Sequence, residues 1–210
     1  MRRLVSIIMA FVMALACVPA LAGGATSSDA LTQDDKIERM LPALDSIARA
    51  MGIDGTAGYA PRDAEFFWTV IYLMGQNWGY AHPLYESVDM DGQPTVSLPR
   101  RAVQEMAAAA FFDYDDLPAL VDTPAKTYDE LRDSYVFAPS DMGDTYTKIE
   151  SSYEPGNGNV VLVLGFYAGE GARLGGFDFT LAPNPYADSI EEPLYYYSVM
   201  AASAQPRDNG

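Results

Sequence analysis

Of its 210 residues the chain has one cysteine, one histidine and 13 lysines and arginines, against 29 aspartates and glutamates. Each shortage excludes a class of chemistry. The cysteine, Cys17, lies in the N-terminal apolar stretch, so a chain cleaved beyond it has no thiol nucleophile, no disulfide and no sulfur ligand for a metal. The histidine, His82, is too few for the common catalytic zinc sites, which take two or three imidazoles, and no metal ligand set is expected. A serine triad has only that one base to recruit, and no serine carries a nucleophile-elbow signature. Cations are too scarce for a nucleic-acid footprint, since the densest basic element is the pair Arg100-Arg101, and anionic membrane surfaces are disfavoured for the same reason. No phosphate-binding Walker loop is present. Gly169-Glu170-Gly171-Ala172-Arg173-Leu174 begins like a dinucleotide loop but precedes a strand pattern rather than a helix, so no cofactor is expected there.

Residues 1–22 read as an export signal. Arg2 and Arg3 form the charged start, Leu4 to Val18 are apolar apart from Ser6, and Ala20-Leu21-Ala22 offers a small-x-small cleavage site. A rival reading is lipoprotein processing at Cys17, since Ala14-Leu15-Ala16-Cys17 loosely resembles a lipobox, with Ala14 in place of the usual leucine. Cleavage after Ala22 leaves 11 cations against the 29 acids, a formal charge of -18. The expected location is periplasmic or secreted, with no integral membrane association after cleavage. Residues 23–31 form a flexible lead-in, 32–203 one domain, and 204–210 a frayed polar tail.

Helical spacing begins at Thr32, which with Asp35 makes a capping box, and continues through Ile37, Met40, Leu41, Leu44, Ile47 and Ala48 to a stop at Gly52. Pro42 interrupts this run, so either the helix kinks or two helices meet there. Asp63 caps a second helix whose Phe66, Phe67, Trp68, Val70, Ile71, Tyr72 and Leu73 predict burial around most of its circumference. A hairpin turns at Asp91-Gly92. A third helix over 99–112, capped by Ser97, turns Val103, Met106, Ala107, Ala110 and Phe111 inward, and its alanines 107–110 admit a close neighbour.

Residues 113–144 read as loop with a helical turn near 128–132. The period then changes to that of strands, over about 145–153, 159–168, 173–182 and 194–202, with turn residues between them. Val160 to Phe166 is apolar on both pleat faces, as a central strand requires, while Phe177, Phe179 and Leu181 alternate with Asp178 and Thr180. The expected fold is α+β, with N-terminal helices packed on one face of a C-terminal antiparallel meander. Its outline resembles the cone-shaped NTF2-like or cystatin-like folds; the resemblance is architectural and implies no activity.

The acidity invites a search for calcium. Ser87-Val88-Asp89-Met90-Asp91-Gly92 has two acids and the glycine of an EF-hand loop but Leu98 where the bidentate glutamate belongs, so it reads as a hairpin turn. Asp113-Tyr114-Asp115-Asp116 reads as a solvated loop. Functional side chains are densest between positions 76 and 86, where Gln76, Asn77, Trp78, Tyr80, His82, Tyr85 and Glu86 bring together amides, aromatic rings, an imidazole and an acid. Stacking rings and amides suit a cleft for a small molecule, glycan or peptide. Tyr195 and Tyr197 are expected to share one strand face, with Tyr196 on the other. The sequence expectation is an exported, non-catalytic binding domain. The alternative is an exported hydrolase that uses two carboxylates.

Overall fold

The computed structural model describes residues 31–206 apart from 53–56, 91, 140–142 and 190–191. The expected signal, nearly all of the lead-in and Asp91 lie outside these residues. Among the described residues no helix is long and apolar enough to cross a membrane.

The fold is α+β: among the described residues there are four α-helices and two antiparallel sheets of four strands each. Helix α1 spans Gln33–Glu38 and opens with the expected capping box: the Thr32 hydroxyl accepts from the Asp35 N–H, and the Asp35 carboxylate accepts from the Thr32 N–H. Helix α2, Leu41–Met51, starts afresh with Pro42 in its first turn, where the missing N–H has no intrahelical acceptor to lose. Two short helices therefore meet at Arg39 and Met40, just ahead of Pro42, and α2 ends at Gly52 with φ 77°. Helix α3, Ala64–Trp78, is capped by Asp63, whose carboxylate accepts from the Phe66 N–H at 2.8 Å. It buries Phe66, Phe67, Trp68, Val70, Ile71 and Met74.

After a 3₁₀ turn at Gly79–Ala81, β1 (Glu86–Met90) and β2 (Gln93–Pro99) pair as the Asp-Gly hairpin. Met90 faces Gln93 across a two-residue connection whose second member, Gly92, has φ 79°. Helix α4 follows directly as Arg100–Ala110. The expected Ser97 cap is corrected here. Ser97 is a buried residue of β2, and Pro99 takes the cap position without a side-chain hydrogen bond.

The helical turn expected near 128–132 is also corrected. Strands β3 (Lys126–Asp129) and β4 (Ser134–Phe137) form a hairpin there and complete a first sheet in the order β1-β2-β4-β3. Its turn contains no glycine; Asp133 takes the left-handed conformation instead, with φ 48°. Arg100 holds it in place, since the Arg100 N–H donates to the Asp133 carbonyl at 2.9 Å and its Nε to Oδ1 at 2.9 Å.

The second sheet is the expected meander, β5 (Thr145–Tyr153), β6 (Val160–Ala168), β7 (Arg173–Pro183) and β8 (Tyr197–Ala204). Val160, Leu162, Leu164 and Phe166 of β6, with Phe177, Phe179 and Leu181 of β7, form one buried face that shares a hydrophobic core with α2 and α4; α2 lies against β5 and β8 of this sheet and α4 against β8. Asp178 stays exposed on the other. The alanines of α4 do admit a close neighbour: the Ser198 hydroxyl of β8 donates to the Ala108 carbonyl at 2.5 Å.

Two boundaries differ at the C-terminus. Of the three consecutive tyrosines only Tyr197 is in β8, and both Tyr195 and Tyr197 are turned into the core. The frayed tail expected from position 204 is corrected at its first residues, because Ala204 pairs with Phe177 and the Gln205 N–H donates to the Gly176 carbonyl at 2.8 Å; residues 207–210 lie outside the described residues.

Candidate functional site

Residues 101, 104, 105 and 108 of α4 recur at helical spacing on the face opposite its core residues, so Arg101, Gln104, Glu105 and Ala108 form one stripe. This stripe is one wall of a cleft of about 540 Å³, a volume within the range used for small ligands. The loop after α3 supplies His82, Pro83 and Leu84; the segment after α4 supplies Tyr114 and Asp115; the β7–β8 connection supplies Tyr186, Glu192 and Leu194.

His82 defines the chemistry of the cleft. Its side chain is 3% exposed, and its Nδ1 accepts from the Leu84 N–H at 3.1 Å. That bond leaves the ring proton of the neutral imidazole on Nε2. Nε2 is buried and makes no hydrogen bond with the described residues, because the nearest carboxylate oxygen, Glu105 Oε2, stands 3.7 Å away. An unsatisfied buried donor costs about 1–3 kcal/mol, so this imidazole is set to donate to an acceptor that enters the cleft.

Glu105 stands between His82 and Arg101, whose Nε is 3.7 Å from its Oε1. Behind it, burial and then the Glu105 charge hold the Tyr195 phenol well above its ordinary range. The Tyr114 hydroxyl is buried and makes no hydrogen bond of normal length with the described residues. Burial, followed by the charge of Asp116, pushes it up to about 12, against a smaller opposing pull from Gln104. At neutral pH Tyr114 is therefore a neutral donor.

A second groove of about 360 Å³ adjoins the cleft, and His82 and Leu194 line both. Its other walls are Leu41 and Pro42 at the start of α2, Trp78, Ala81 and Tyr195, with Glu38 and Arg39 on one side. The groove is predominantly apolar. The Trp78 Nε1–H is buried and makes no hydrogen bond with the described residues.

The residues singled out between 76 and 86 are divided by the fold. His82 lines both hollows and Trp78 the groove. Gln76 is buried on α3 and donates through Nε2 to Asn77 Oδ1 at 3.1 Å. Tyr80 is exposed and rests against Tyr85, ring centroids 5.1 Å apart, while Glu86 opens β1 opposite Ser97. Arg101, Gln104, Glu105, Tyr114, Asp115, Tyr186 and Glu192 were not singled out by sequence as one site. Among the described residues no three histidine, cysteine, aspartate or glutamate side chains converge as a metal site. Compared with known proteins, the chain matches no family model, no curated protein and no solved structure.

Proposed function

We propose that this chain is an exported, non-catalytic domain that binds a small molecule, glycan or peptide in the cleft at His82. The observation that carries the reading is the Nε2–H of His82, an imidazole buried at the cleft wall and fixed from behind by Leu84, with no hydrogen-bond acceptor among the described residues. Tyr114 adds a second buried hydroxyl, and Tyr186 a partly exposed ring. The cleft lining includes no described serine, threonine or cysteine that could serve as a nucleophile.

Titration of the ¹⁵N-labelled protein with amino acids, short peptides and oligosaccharides tests this. Saturable shifts at Glu105, Tyr114 and Tyr186 are expected for one class and are lost in His82→Ala. The hydrolase reading survives on one observation, that Glu105, Asp115 and Glu192 share the cleft. Turnover of a bound compound that Glu105→Gln abolishes while binding persists replaces the non-catalytic reading. Export rests on the N-terminal pattern, and intact mass of the exported form checks it: a chain starting at Gly23 is expected, whereas one starting at a lipidated Cys17 means an anchored lipoprotein.

A further inference from the structure

Cleft and groove differ in character and meet at two shared residues. Among its described residues the cleft carries three carboxylates, Glu105, Asp115 and Glu192, against the single cation Arg101, within a molecule of formal charge -16. Arg101 already stands near Glu105, which leaves Asp115 and Glu192, both exposed, to attract a positive group. The groove offers Leu41, Pro42, Trp78 and Leu194, surface that an apolar side chain covers. Between them His82 Nε2–H calls for an acceptor, not for a cation. One occupant therefore has to supply a cation, an acceptor and an apolar group, in that order.

An extended peptide meets this order with its own geometry. Successive side chains leave opposite faces of the backbone, about 3.3 Å apart along it, and a carbonyl lies between them. Granting that the cleft is a binding site, we infer that it takes an internal peptide segment in which a basic side chain enters the acidic cleft, the next, apolar side chain fills the Trp78 groove, and the intervening carbonyl accepts from His82 Nε2. A free C-terminus is disfavoured, because its carboxylate would join three others.

Capped dipeptides test the inference by amide shifts at Tyr114 and Tyr186 and by Trp78 indole emission. Acetyl-Arg-Leu-amide is expected to bind, and acetyl-Gln-Leu-amide and acetyl-Arg-Ala-amide each about tenfold more weakly. Acetyl-Glu-Leu-amide should show no saturable shift. Joint replacement of Asp115→Asn and Glu192→Gln should reduce the preference for Arg over Gln to about twofold and leave the Gln peptide's own affinity unchanged. Because both side chains are exposed, these variants leave the core intact. Equal affinity for the Arg and Gln peptides overturns the inference while leaving the cleft a binding site. So does binding of argininamide as tightly as the dipeptide, or an Arg preference that the double variant retains. If no dipeptide, amino acid or oligosaccharide shifts the cleft signals, the inference and the binding reading fall together.

Discussion

Gly75 lies on α3 where the ring of Phe137 crosses it, and a Cβ placed there would meet that ring directly. Alanine would gain about 1 kcal/mol of helix propensity, but Phe137 is fully buried and has nowhere to go, so overpacking of about 1–3 kcal/mol wins. Gly75→Ala is expected to lower unfolding stability by up to about 2 kcal/mol, read from urea denaturation with an unchanged slope. No sequence signal marks this contact, because it needs β4, and β4 lies in a segment that reads as loop. The cleft divides similarly at this scale. His82 was legible as the lone imidazole among amides and rings, and the stripe of Arg101, Gln104, Glu105 and Ala108 follows from helical spacing once the inner face of α4 is assigned. Tyr186 and Glu192 were not legible there, since only the return of the β7–β8 connection brings them opposite that stripe.

Elements with a local signal were read to within a few residues. The Thr32 box, the Asp63 cap, the Asp-Gly turn and the period-two strands β5 to β7 each depend on neighbours in sequence. The β3–β4 hairpin lacks the usual glycine. Asp133 takes the left-handed position instead, Asp129 Oδ1 accepts from the Leu131 and Arg132 N–H groups within the turn, and Arg100, far away in the chain, adds the bonds that fix Asp133. Loss of a local cap is measurable: Asp63→Ala leaves the Phe66 N–H without its acceptor and should cost about 1 kcal/mol in a urea melt. In β5 the register shifts between Ile149 and Ser151, so Glu150 is the extra residue of a bulge. Its carboxylate reaches across Gly165 of β6 to Arg173 of β7, whose Nε donates at 2.6 Å. That bond, helped by Tyr167, holds Glu150 below its ordinary range. A carboxylate lowered in the folded state stabilises it above the unfolded value near 4.5, and the gain is lost as pH falls through the lower folded value. Glu150→Gln should therefore flatten the stability loss as pH falls from neutral through 4.5 and the lower folded value, by less than about 1 kcal/mol because the pair is largely solvated.

At the scale of the whole molecule, a formal charge of -16 opposes compaction through diffuse self-repulsion. Raising sodium chloride from about 0.01 M to 0.15 M shortens the Debye length from about 30 Å to 8 Å and should raise Tm in calorimetry. Calcium at matched ionic strength should raise it no further, because a specific site requires six to eight converging oxygens and no three acidic side chains converge among the described residues. A calcium-specific rise on the order of 10 °C, lost on replacing Asp115, would mean that a true site exists in the acidic loop. One further consequence concerns time rather than energy. The cleft stripe is carried by a helix whose four alanines, 107 to 110, are all buried, with the Ala108 carbonyl bonded to Ser198 and the Ala110 carbonyl to the Tyr59 hydroxyl. That wall has no slack in which to wait for an occupant. Complex formation should accordingly follow a single relaxation in stopped flow, with a rate that rises linearly with peptide concentration and no plateau from a slow opening step.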